Sequence, residues 1–332
     1  MTNSPDPQLL QMLMGFRITQ LLHVAATLGV ADALAKGEKS AVELAADFSC
    51  DAESLYRLLR ALANVGVLAE SSGQRFELTA LGDGLRSDET NSLRPIAMLY
   101  GQPWLWNAYG ELLHSVRTGE PALEHTHGQR LFEYLDAHGP AADSFNAAMT
   151  SFSAQETAAI LNAYDFSSAT HLVDVGGGHG RLLAAVLDAH PRLRGTLFDL
   201  PQVVGGANEL RRFGTRCAIE GGDFFTALPG AGDVYLLKSV VHNWPDGKAS
   251  QILQRCREAM GREGRLLLIE RVVGEPAEAS EAKLFDINML VVLGGRERTR
   301  SEYAALLERA GFQLTRVAPS QSPLSVIVAQ PA

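Results

Sequence analysis

The stretch His171-Leu-Val-Asp-Val-Gly-Gly-Gly-His-Gly180 decides the fold of this chain. Apolar and β-branched residues lead into a glycine cluster, and Arg181 to Ala189 then read as a helix. The pattern is a strand, a tight turn and a helix start. Glycines let backbone approach a ligand closely, and a helix N-terminus offers free N–H groups at the positive end of its dipole. The spacing narrows the ligand class. A dinucleotide fingerprint, Gly-x-Gly-x-x-Gly, needs its last glycine at position 181, which is arginine. That disfavours a nicotinamide dehydrogenase. The run is instead Asp174-x-Gly176-x-Gly178-x-Gly180, with Gly177 between and an acidic residue inside the strand.

Downstream of this loop, strands and helices alternate. Strands are expected at 171–175, 194–199, 216–219, 233–238, 265–271, 312–318 and 324–329, with helices between most of them. This is the pattern of an α/β doubly wound sheet with helices on both faces. The last two strands are joined by Pro319-Ser-Gln-Ser-Pro323 rather than by a helix, which predicts an antiparallel hairpin.

Upstream, residues 8 to 36 read as helical, with apolar residues at helical spacing. Ser40-Ala-Val-Glu43 reads as a capping box, and Asp51 opens a further helix. Gly66 to Leu78 predict two short strands around a Ser-Ser-Gly turn, so the N-terminal part resembles a winged helix. Such a module binds DNA, mediates dimerisation or caps a substrate site. Residues 1–100 hold eight basic and twelve acidic residues, a balance of −4, which argues against a phosphate backbone as partner. Residues 95 to 165 are expected to be helical. The reading divides the chain into 1–98, a winged-helix-like dimerisation domain, and 99–332, a helical connector plus a ligand-binding domain with its core at 166–332.

The whole chain has 332 residues and a formal charge of −9, enough for two domains and unsuited to nucleic acid. Three scattered cysteines fit no disulfide framework or metal spacing and point to a reducing cytoplasm. No basic stretch precedes the first apolar residues, and no run reaches the 18 or so apolar residues of a membrane span, so neither leader nor membrane partner is expected. His125 and His127 lack companion ligands, and no metal is expected.

Five further motifs carry chemistry. Asp199 ends the second strand, 19 residues after Gly180, where a carboxylate can accept both hydroxyls of a ribose. Gly221-Gly-Asp-Phe-Phe225 follows the third strand, and Asp223 beside two aromatics suits an adenine. His242, in Tyr235-Leu-Leu-Lys-Ser-Val-Val-His-Asn-Trp-Pro-Asp246, lies just beyond the fourth strand and suits a general base. Glu270 ends the fifth strand and Glu297 lies in Gly294-Gly-Arg-Glu-Arg-Thr299. Either carboxylate can fix the tautomer of His242 and stabilise its imidazolium. An aromatic, apolar pocket is expected from Trp104, Trp106, Phe145, Met149, Phe152, Trp244 and Met289, with Asn288 as a polar contact.

Together these motifs resemble the plant caffeate- and flavonoid-type O-methyltransferases and their bacterial secondary-metabolite relatives. The resemblance covers nearly the whole chain. It implies a Rossmann-like methyltransferase sheet with an antiparallel last strand, and S-adenosyl-L-methionine as cofactor, S-adenosyl-L-homocysteine as product and no metal. It implies cofactor contacts at Asp174, Gly176, Gly177, Gly178, Gly180, Asp199, Leu200, Gly222, Asp223, Phe224 and Lys238. It also implies His242 as catalytic base flanked by Glu270 and Glu297, pocket methionines at Met149 and Met289, and a homodimer interlocked through its N-terminal helices. The activity implied is methylation of a hydroxyl on a small phenolic or enolic metabolite, in secondary-metabolite or antibiotic biosynthesis. N- or C-methylation, cofactor-scaffolded hydroxylation or decarboxylation, and a winged-helix regulator sensing S-adenosylmethionine are the alternatives. The chain departs from the plant pattern at Asn243, at Phe152 and in a shorter segment between Met289 and Gly294.

Overall fold

The computed structural model describes residues 6–230 and 232–332; the first five residues of the N-terminal reading lie outside them. The chain forms two compact units, Met1–Asn107 with Phe132–Phe152, and Ala108–Leu131 with Ser153–Ala332.

In the first unit, the long helical stretch divides into Pro7–Leu13, Gly15–Leu28 and Val30–Leu34. Asp6 caps the first helix, with its carboxylate accepting from the Gln8 backbone N–H, and Pro7 occupies the first turn. The bend after it is 43°. Gly29 ends the second helix in the left-handed conformation, which interrupts a helix that apolar spacing alone runs through. The Ser40–Glu43 capping box forms, and Asp51 caps Ala52–Asn64. That helix buries Leu55, Leu59 and Leu62, a stripe at i, i+4 and i+7, against Leu44 and Phe76. The hairpin Leu68–Ser71 and Arg75–Leu78 gains a third strand, Lys39–Ser40, at one edge.

The second unit carries a seven-stranded sheet. From edge to edge its strands are Phe312–Pro319, Ser325–Pro331, Arg265–Glu270, Val234–Lys238, His171–Val175, Arg194–Asp199 and Cys217–Gly221. Neighbours among the last five are parallel, while Ser325–Pro331 runs antiparallel to both of its neighbours. Side chains alternate across the sheet. Leu172, Leu236 and Leu267 pack on one face with the helix Arg181–Ala189. Val173, Tyr235 and Leu268 pack on the other with the helices Asp246–Ala259 and Arg300–Arg309. Burial on both faces explains why these strands read as continuous apolar runs. Chain order reverses on either side of His171–Val175. The crevice at the carboxyl ends of that strand and its neighbours is therefore the expected ligand position. Among the described residues no single helix is long and apolar enough to cross a membrane, though the bent pair Pro7–Leu13 and Gly15–Leu28 passes by length and composition.

Candidate active site

The glycine loop leaves the central strand at Val175. Gly178 sits at φ 61°, a left-handed conformation that strains any residue with a side chain. Gly177 lies so close to the Asp174 carboxylate that a Cβ would overlap it. Asp199 ties the loop to the next strand: one carboxylate oxygen accepts from the Gly178 N–H at 2.8 Å, the other from the Leu200 N–H at 2.7 Å. Asp174 differs. It is 2 % exposed, and neither carboxylate oxygen has a hydrogen-bond partner. Burial, and then the neighbouring Asp199 charge, push its carboxyl up to about 7. Burial also raises the carboxyl of Asp199. Unpartnered carboxylate oxygens beside a glycine cradle ask for a cationic or hydrogen-bonding partner.

The other residues expected to contact a cofactor lie around this loop. Gly222 packs on the Phe198 ring, leaving no room for a side chain. Phe224 edges towards Gly176, and Asp223 accepts from the Phe225 N–H at 2.9 Å. Gly180 caps the helix that begins at Arg181. Lys238, at the end of its strand, pairs with Glu156 at 2.7 Å, both largely buried. Glu156 lies in the helix Gly139–Ala163, in no motif, and nothing in the sequence marks it.

His242 stands in the short turn Val241–Asn243 after the fourth strand. Glu270 reaches this turn from the fifth strand. Its Oε1 accepts from the backbone N–H groups of Val240, Val241 and His242 at 3.1, 2.8 and 3.4 Å. Its other oxygen lies 3.6 Å from His242 Nδ1. The closer imidazole partner is Glu297, whose Oε1 lies 2.7 Å from Nδ1. An ionised carboxylate can only accept, so Nδ1 carries the proton and Nε2 keeps a lone pair. Phe285 lies parallel to the imidazole, with centroids 6.1 Å apart, and the Arg271 guanidinium sits 3.8 Å from its ring centre. Neither residue belonged to a sequence motif.

All three ionisable groups are buried: His242 is 5 % exposed, Glu297 2 % and Glu270 not at all. Burial by itself depresses the imidazole's pKa. The Glu270 charge and the Glu297 hydrogen bond oppose it and prevail, so the value is raised despite Arg271. Burial raises the carboxyl of Glu270, and Glu297 adds to that.

Backbone geometry fixes the Glu297 partnership. The Arg296 N–H donates to the His242 carbonyl at 2.8 Å, and the Glu297 N–H to Asp286 Oδ1 at 2.7 Å. Gly295 passes so close to the His242 carbonyl that a Cβ would overlap it.

The expected pocket residues distribute as follows. Met289 is buried in the helix Glu281–Val292, and Asn288 Oδ1 accepts from the Tyr109 hydroxyl at 2.7 Å. Trp244 turns its indole onto Phe225, at 4.8 Å and 90°. In the first unit, Trp104 packs on Tyr134 and Phe145 meets Phe132 edge-on. Trp106 and Phe152 are half-buried there, and Met149 is 39 % exposed. Outside this set, His125 stacks on His114.

One prediction follows from the close approach at position 295. Gly295→Ala should displace the His242 turn and lower turnover by more than about tenfold, while ligand binding at the glycine loop persists. Calorimetry alongside an activity assay reads both, and unchanged activity would contradict the geometry.

Comparison with known proteins assigns the chemistry. Residues 109–313 match the O-methyltransferase domain family, and residues 10–88 match the O-methyltransferase dimerisation domain. The phenazine O-methyltransferase PhzM of Lysobacter antibioticus is 42% identical over 326 residues, covering 97% of this chain and 95% of that one. The crystal structure of LaPhzM superposes with a TM-score of 0.93, at 42% identity and 98% coverage of both chains. The O-methyltransferase NcsB1 from neocarzinostatin biosynthesis, in complex with S-adenosylmethionine and 2-hydroxy-5-methyl naphthoic acid, is 34% identical. It superposes with a TM-score of 0.82, over 95% of this chain and 96% of that one. The orphaned Asp174 oxygens and the glycine cradle fit such a cofactor, which carries an ammonium group and a ribose. Fold, motifs and relatives agree that the chain belongs to the S-adenosylmethionine-dependent O-methyltransferases of bacterial secondary metabolism, a family that needs no metal.

Proposed function

We propose that the chain methylates a hydroxyl of a small phenolic or enolic aromatic metabolite, with His242 as general base. The observation that carries this reading is the His242–Glu297 contact of 2.7 Å, which leaves Nε2 as the acceptor of a proton. S-adenosylmethionine, when bound, supplies a methyl group on a sulfonium centre. Asp174, the glycine loop and Asp199 would hold it, with Asp223, Phe224 and Lys238 completing the site.

The residues divide the remaining work. His242 Nε2 removes the hydroxyl proton, and the imidazolium so formed is stabilised by Glu297 and Glu270. A phenol ordinarily holds its proton tighter than imidazole by about 3–4 pKa units. The raised pKa of His242 narrows that gap. Phe285 offers apolar surface beside the base, which suits a flat aromatic acceptor. Alignment in a dry pocket supplies much of the remaining acceleration. The three cysteines are unpaired, consistent with a reducing cytoplasm.

His242→Gln should lower kcat by about 10²–10⁴-fold while S-adenosylmethionine still binds. Asp199→Ala should instead weaken cofactor binding by roughly 10–150-fold, the loss of a charged hydrogen-bonding group. Full turnover in His242→Gln, with a methylated oxygen confirmed by NMR of the product, sinks the base assignment.

The pH profile supplies an independent check. Only neutral His242 accepts a proton, so the rate should climb as pH rises through its raised pKa and then level off. Glu297→Gln removes one raising influence, so the ascending limb should move to lower pH while the plateau falls. An unmoved limb would show that another group titrates.

A homodimer through the N-terminal helices completes the proposal. The dimerisation-domain match supports it, as do Leu9, Leu10, Met12, Leu13 and Phe16, all exposed on the first two helices. Light scattering should give twice the 35.8 kDa chain mass, and a monomer at micromolar concentration would refute it.

A further inference from the structure

The side chain of Arg298 is the largest fully buried one among the described residues, at 1 % exposure. Its guanidinium donates to the carbonyls of Val241 at 3.3 Å and Trp244 at 2.9 Å, on either side of His242 in the chain. It also donates to Asp246 Oδ1 through Nε and Nη2, at 3.0 and 2.9 Å, and to its own loop at the Arg296 carbonyl, at 3.2 Å. Arg298 directly follows Glu297. One rigid fork therefore spans the turn that carries the imidazole, the first residue of the helix Asp246–Ala259, and the segment that carries the imidazole's carboxylate partner.

We propose that Arg298 is a positioning residue for methyl transfer, which sets the separation of His242 and Glu297 by clamping the two backbone segments that bear them. The proposal rests on the reading of His242 as the base. A buried guanidinium is a costly way to fill space unless its geometry is used. The fork supplies directions that one ammonium cannot, so lysine is a poor replacement here even though it keeps the charge. The clamp acts opposite Glu270: the carboxylate holds the turn by its N–H groups, and the guanidinium holds it by its carbonyls.

The test reads the His242 Nδ1 proton by NMR in the intact chain labelled with ¹⁵N-histidine. The carboxylate partner should give this proton a far-downfield resonance, absent in His242→Gln, which assigns it. The imidazole's charged neighbours are Glu270 at the end of the fifth strand, Arg271 just after it and Glu297 from the loop; Asp286 from the helix Glu281–Val292 and Tyr303 from Arg300–Arg309 act on those carboxylates, and Arg296 meets the His242 carbonyl through its backbone. None changes in Arg298→Lys, which also preserves the local charge. Arg298→Lys should therefore lose or broaden the resonance and move the His242 titration midpoint downward, while S-adenosylhomocysteine binding stays within about twofold of wild type. An unchanged resonance and midpoint in the folded variant overturn the proposal. Should Arg298→Lys fail to fold, Asp246→Ala removes two of the clamp's bonds from its more exposed side. The same loss supports the proposal, and an unaltered resonance refutes it. Methyl transfer by His242→Gln is measured separately, so a failed base assignment shows up as retained turnover and not as a change in this resonance.

Discussion

Everything at the His242 end of this sheet depends on one fully buried carboxylate, that of Glu270. One of its oxygens accepts three successive backbone N–H groups at the start of the His242 turn. Those groups follow a strand end and have no strand partner there, so without Glu270 they would be buried and unsatisfied. The carboxylate thus fixes the backbone first. Its effect on the imidazole comes second, through a charge 3.6 Å away. Removing it would leave both a loose turn and an unbalanced cluster of charge.

The division of labour between the two glutamates follows from this. Glu270 comes from a strand in the core of the sheet and is set by it. Glu297 comes from a loop that must be brought to the imidazole, and the structure spends several contacts on that: the Arg296–His242 backbone bond, the Asp286 acceptor and the glycine at 295. Two buried carboxylates and one histidine also create an electrostatic problem that neighbouring cations ease. Arg271, stacked over Phe285, tempers the pull on the imidazole. The site is therefore poised by opposing charges and not by burial alone.

Much of this was legible in the sequence. The strands of the sheet fall within a few residues of their expected limits, because burial on both faces makes them continuous apolar runs and glycine, proline or aspartate punctuates their ends. The antiparallel hairpin at Pro319–Pro323 was legible from the absence of a helix. The helix break at Gly29 was not, since one glycine in a periodic run does not by itself show which backbone conformation it takes. Spacing placed His242 and Glu270 at one crevice edge and left open whether Glu297 reaches the imidazole. It did not show which carboxylate would meet Nδ1, because that depends on the register of a loop against a turn. Glu156 and Phe285 lay outside reach for a similar reason: each meets its partner only through tertiary packing, and neither sits in a motif.

The most direct test of the account is a crystal structure of the chain with S-adenosylhomocysteine and a methylatable aromatic acceptor bound together. The account predicts the acceptor hydroxyl within hydrogen-bond distance of His242 Nε2, with Nδ1 still on Glu297. An acceptor hydroxyl held by other groups, with Nε2 facing away from it, would contradict the assignment of His242 as the base.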